Sequence, residues 1–162
     1  MAVKDIYQLG NKKLYEISDE VKYEELSQVR QIVTDLHDTM MNFRKTYGVG
    51  RAIAAPQIGV MKRILYMNID QPVAFINPEL VDKSEEMMEL WDDCMCFPNL
   101  LVWVKRHSSL TIRYRDLNWD IQEMKLQGDL SELLQHEYDH LDGILATMRA
   151  VDSKSFSFRS EI

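Results

Sequence analysis

From about residue 21 to 47 the apolar residues Leu26, Val29, Val33, Leu36, Met40 and Phe43 recur at steps of three and four. That spacing gathers them on one face of a long amphipathic helix, with Ser18 or Asp19 available to cap its start. Gly48 and Gly50 end the pattern and open a glycine- and alanine-rich stretch, "GVGRAIAAPQIGV", which Pro56 and Gly59 keep from becoming a helix. Short β-rich runs follow at 63–69, 73–76, 100–104, 110–114 and 121–126. Turn segments such as Asn77-Pro78 and Asp116-Leu117-Asn118 separate them, which predicts antiparallel strands. A final helix starts near Asp129, where Asp129 and Glu132 have capping-box spacing, and fades at Gly143. Helix, strands and helix in that order predict an α+β fold rather than a repeated βαβ sheet. Residues 1–162 are expected to form one domain with a core of its own.

Composition narrows the class. At 46% hydrophobic and 28% charged residues the chain is ordinary for a globular protein, which argues against disorder. No apolar run approaches the roughly 20 residues of a spanning helix. The opening "MAVKDIYQLGNKKLYEISDE" lacks the apolar core of a secretion signal, so the cytoplasm is the expected compartment. A net charge of −7 argues against broad attraction to nucleic acid or anionic membrane. Cys94 and Cys96 stand too close together for an easy disulfide, which leaves free thiols or metal ligands.

Candidate chemistry is concentrated in "LLQHEYDHLDG". On a helix His136 and His140 share one face, so both imidazoles can meet one ion, and Glu137 can reach a water on that ion. This pattern serves metal-assisted hydrolysis. A catalytic centre needs a third protein ligand, for which Cys94, Cys96, His37 and His107 are candidates. A cysteine suits borderline and softer metals. Free cysteines also serve as small buried apolar groups, and a solvated polar helix face is the weaker alternative for the histidines.

Three segments in order, "GRAIAAPQIG" from Gly50, "DDCMCFP" from Asp92 and "QHEYDHLDG" from Gln135, resemble the three motifs of the peptide deformylase family. Those motifs are Gly-x-Gly-x-Ala-Ala-x-Gln, Glu-Gly-Cys-Leu-Ser and Gln-His-Glu-x-Asp-His-Leu-x-Gly. The third matches throughout, and Cys94 precedes His136 by a separation similar to that in bacterial members. The resemblance implies antiparallel sheets packed around the C-terminal metal-binding helix. It also implies one divalent metal, iron(II) in the cell and replaceable by zinc, nickel or cobalt, held by Cys94, His136 and His140 with a water in the fourth position. The implied reaction removes formate from the N-terminal formylmethionine of new polypeptides. Glu137 would be the general base and acid. The Gln57 side chain and the Met95 backbone N–H would face the oxyanion. Gly50, Arg51, Ala52, Glu132 and Leu133 are the expected substrate-binding residues, with the glycine-rich loop receiving the peptide as an added strand.

The chain departs from the family in definite places. Asp92 replaces glutamate, so its expected partner Arg106 must sit closer or be bridged by water. Asp93 replaces glycine, Met95 leucine, Cys96 serine and Ala52 the second glycine of the first motif. Glu132 stands where the family places an apolar residue of the methionine pocket: either it completes the helix cap or it reshapes the pocket, with Arg51 as a second charge. The tail "ILATMRAVDSKSFSFRSEI" lacks the long basic helix by which some members dock on ribosomes, so ribosome docking is not expected. An amide hydrolase with another acyl or peptide substrate, a metal-binding homologue without turnover and a zinc endopeptidase are the competing readings.

Overall fold

The computed structural model describes residues 2–162. The long helix is α1, Leu26–Tyr47. Eight strands follow: β1 Ala52–Ala54, β2 Ile64–Asn68, β3 Pro72–Val81, β4 Met87–Asp92, β5 Leu100–His107, β6 Ser109–Arg115, β7 Ile121–Gln127 and β8 Phe156–Phe158. Between β7 and β8 lies α2, Asp129–Leu141. All strand pairs are antiparallel, in a five-stranded sheet ordered β1-β2-β3-β6-β7 and a three-stranded sheet ordered β4-β5-β8.

Side chains that alternate along β2 show how the layers form. Ile64 and Tyr66 face α1, where Val29, Val33, Leu36, Met40 and Phe43 cover them. Leu65 and Met67 face the opposite way, into a core with Leu133, Leu134 and Leu141 of α2. A third cluster holds Cys94, Cys96 and Phe97 against Val102 and Val104 of the small sheet. Helix α2 touches β1, β5 and β7, so it lies between the two sheets and most of its residues are buried. No helix among the described residues is long and apolar enough to cross a membrane.

Several local expectations are corrected. Helix α1 begins at Leu26 rather than near residue 21, after a 3-10 turn at Tyr23–Glu25. Neither Ser18 nor Asp19 caps it; the Glu25 carboxylate accepts the Lys22 N–H at 2.9 Å. Tertiary bonds hold the preceding segment extended: the Arg63 N–H donates to Asp19 O, and the Val21 N–H donates to Asn77 Oδ1. Asn77-Pro78 is not a turn between strands but a bulge within β3, where the register shifts and Asn77 takes φ 49°. The glycine-rich stretch contains strand β1 and a 3-10 turn at Ala55–Ile58. Ala52 lies in β1 opposite Met67, so no positive φ is needed there. The capping box on α2 is absent: Gly128 occupies the cap position without a side-chain bond, and Glu132 points elsewhere.

Gly143 does stop α2, at φ +71°, and a Cβ there would lie 2.4 Å from the Tyr15 carbonyl oxygen. Gly143→Ala combines a left-handed backbone with that clash, so it should lower the unfolding free energy by more than about 1 kcal/mol in urea titration. A smaller loss would show that the Tyr15 segment yields to a methyl group.

Candidate metal centre and active site

Helical spacing on α2 places the His136 and His140 rings side by side, with centroids 5.1 Å apart. The turn after β4 brings Cys94 to them: its Sγ lies 3.4 Å from His140 Nε2, and one donor atom from each of the three residues falls within 4.8 Å of the others. All three are buried. The other candidate ligands go elsewhere. His37 Nδ1 lies 2.6 Å from the Tyr66 hydroxyl, and His107 Nδ1 lies 2.8 Å from Ser84 O. Cys96 remains a free buried thiol whose Sγ takes the Gln57 amide at 3.4 Å.

A buried charge network orients His136. Asp92 Oδ2 accepts from His136 Nδ1 at 2.9 Å and from Arg106 at 2.9 Å. The direct contact to Arg106 settles how the short carboxylate is reached. Arg106 also donates to Asp139 at 2.7 Å, and Arg149 donates twice to Asp139, at 3.1 and 3.0 Å. With Nδ1 engaged by Asp92, Nε2 is the nitrogen His136 has left for an ion.

The electrostatics suit a cation. Burial opposes charge on His136, but the Asp92 carboxylate overrides it and lifts the ring to about 10. Burial works against charge on Asp92 too, and there His136 and Arg106 win and hold it at about 2. Burial, with Cys96 beside it, pushes the Cys94 thiol up, so a thiolate there needs a positive partner. Burial and the neighbouring His136 keep His140 neutral. One thiol and two imidazoles form a donor set that fits a divalent transition metal.

Glu137 completes the group. Burial pushes its carboxyl up to about 7, with Asp92 and Glu132 adding to the rise and His136 opposing it. Its Oε1 is buried without a hydrogen-bond partner among the described residues. Gln57 accepts the Ala54 N–H on Oε1 at 2.8 Å, which turns its amide nitrogen toward Cys94 Sγ at 3.7 Å.

A cavity of about 590 Å³ opens onto this centre, lined by Cys94, His136 and Glu137. The five expected substrate-binding residues, Gly50, Arg51, Ala52, Glu132 and Leu133, line it as well, and so does Met95. Gln57 does not reach the cavity surface and touches it through Cys94. A Cβ on Gly50, at φ +138°, would press on Met95 at 3.2 Å and Phe43 at 3.4 Å, so glycine keeps this wall open. Arg159 also lines the cavity and pairs with Asp93 at 2.8 Å across 66 residues of sequence. Nothing local in the sequence marks Arg159, because only the docking of β8 on β5 brings it there.

Fold and site together define a metal-dependent hydrolase of the α+β class. A sequence model described as polypeptide deformylase matches residues 3–156, and the chain belongs to that family. It is similar to peptide deformylase 1 of Prochlorococcus marinus, 35% identical over 176 residues covering 100% of this chain and 88% of the relative. The peptide deformylase of Salinibacter ruber is 33% identical, covering 88% of this chain and 77% of the relative. The crystal structure of the Ehrlichia chaffeensis peptide deformylase in complex with actinonin superposes with a TM-score of 0.86 at 32% identity, covering 96% of this chain and 92% of that one.

Arg106 is 3% exposed and shared by two carboxylates. Arg106→Leu leaves both acids buried without their cation, so it should cost about 3–5 kcal/mol of unfolding free energy. Urea titration reads this directly, and a loss below about 1 kcal/mol would show that the network does not hold the site together.

Proposed function

We propose that this chain removes the formyl group from the N-terminal formylmethionine of new polypeptides, using one metal ion held by Cys94, His136 and His140. The observation that carries the reading is the convergence of those three donors, of which Cys94 and His136 line one cavity together with Glu137, whose Oε1 has no partner among the described residues. When bound, the ion supplies a Lewis acid and activates water at neutral pH.

The chain's own residues do the rest. Glu137 takes the proton of the attacking water and hands it to the departing amide nitrogen, and a carboxyl poised near neutrality suits both transfers. The Met95 N–H next to Cys94 donates to the oxygen that gains charge, and the Gln57 amide, aimed by Ala54, turns from the two cysteine sulfurs to join it when substrate enters. β1 pairs with β2 on one side only, and the peptide extends along its other edge, past Gly50 and Ala52. Asp92 keeps the His136 ring in one orientation. Residues 1–162 act as a single catalytic domain in the cytoplasm. Iron(II) is the ion there, with zinc, nickel or cobalt as substitutes.

Protein purified without oxygen and loaded with iron or nickel should release formate from formyl-Met-Ala-Ser, and Glu137→Ala should lower kcat by about 10²–10⁴-fold. Absence of turnover in the loaded protein would refute the reading. Elemental analysis should find one ion per chain. Cys94→Ser should reduce that content and abolish thiolate-to-metal absorption in the cobalt form; an unchanged spectrum would overturn the ligand assignment.

A further inference from the structure

One part of the cavity wall takes no part in removing a formyl group. Glu132 is 8% exposed and accepts from Arg51 at 2.9 Å, and both residues line the cavity. Arg51 comes from the segment entering β1 and Glu132 from the first turn of α2, so the pair closes the gap between two elements. The Arg51 side chain is 42% exposed, and a single hydrogen bond, to Glu132, is formed by its guanidinium among the described residues. Most of its N–H groups and the second carboxylate oxygen of Glu132 therefore rely on water or on a ligand.

Position along α2 says which part of a substrate meets this pair. Glu132 lies four residues before His136, on the same face and roughly 6 Å along the axis. In a formylated residue the side chain branches at Cα, one bond from the amide nitrogen that leaves the attacked formyl carbon. With the formyl carbon at His136 and Glu137, a side chain of methionine's length ends about one helical turn away, against Glu132 and Arg51.

A hydrocarbon end pressed there would strip water from both charged groups and return no hydrogen bond. A carboxamide end donates to the carboxylate and accepts from the guanidinium. Glutamine carries that group at methionine's reach. Sites with hydrogen-bonding walls reject analogues that lack the polar group far more strongly than apolar pockets reject one carbon more or less.

We infer that Arg51 and Glu132 determine specificity for the first side chain, and that they extend the substrates beyond formylmethionine to N-formyl peptides beginning with glutamine. The inference rests on the deformylase reading of the same site.

The test is formate release by the metal-loaded protein from formyl-Met-Ala-Ser, formyl-norleucine-Ala-Ser and formyl-Gln-Ala-Ser. The expected kcat/KM for the glutamine peptide equals or exceeds that for the methionine peptide and is at least about tenfold above that for norleucine. In the double variant Arg51→Leu, Glu132→Leu the order reverses, with norleucine and methionine above glutamine. A wild-type rate constant for glutamine below that for methionine overturns the inference and leaves deformylation standing, as does an order unchanged in the double variant. Failure to process all three peptides overturns the deformylase reading and the inference together. Should the double variant not fold, the wild-type order decides alone.

Discussion

The Arg106 guanidinium is the contact on which the site's geometry depends. It is buried on β5 and bridges Asp92 at the end of β4 to Asp139 on α2. Each acid sits beside a proposed ligand in the chain, Asp92 two residues before Cys94 and Asp139 directly before His140. Asp92 also binds His136, so one cation coordinates the placement of all three donors from two distant segments. Charges alternate along the series Arg149, Asp139, Arg106, Asp92 and His136, from a half-exposed arginine to a nearly sealed ring. Burying such a series is costly unless every member is paired, and removing one leaves its neighbour uncompensated.

That cost explains why Asp92, Arg106, Asp139 and His136 sit on strand and helix, with Cys94 following in the turn after β4. Helix α2 is covered on one side by the five-stranded sheet and touches β5 of the small sheet on another. Its polar residues are buried as a consequence: Gln135 is held by the His107 backbone and Ser131, His136 by Asp92 and Asp139 by its arginines. Glu137 Oε1 is unpartnered in the same layer, as are His140 Nδ1 and Arg106 Nε. Of these only Glu137 is a carboxylate on the cavity wall, and an unsatisfied oxygen there marks a group whose partner arrives with the reaction.

How much of this was legible in the sequence depends on range. The three-and-four periodicity of α1 and the pairing of His136 with His140 and Glu137 are local, and both were readable. Gly143 as a stop was local too. The start of α1 was not, because Val21 is held by Asn77 across the fold and the Ser18 backbone is tied to Leu141 O, away from the helix start. Three-residue strands such as β1 and β8 are too short to show a period, and the bulge let β3 continue through Asn77-Pro78 where turn chemistry predicted a break. Arg106 could be named as the partner of Asp92 from the motif, whereas Asp139, Arg149 and Arg159 became visible only once the sheets had closed. Glu132 was compatible with a cap or a pocket wall, and its bond to Arg51 excludes the cap.

The departures from the family motifs are related through charge. Asp92, Asp93 and Glu132 each put a carboxylate at or beside the centre, and each meets an arginine from another element: Arg106 on β5, Arg159 after β8 and Arg51 before β1. A lone acid there would repel the Cys94 thiolate; paired with an arginine, it adds geometry with little net field. The pairs differ in how far water reaches them. Arg106 with Asp92 is sealed and structural, while Arg159 with Asp93 is nearly half exposed on each side and open to screening. Arg51 with Glu132 lies between those limits, with one partner buried and the other open to the cavity. That intermediate position is what allows a bound side chain to alter the pair's solvation, and so makes it the one of the three able to distinguish substrates.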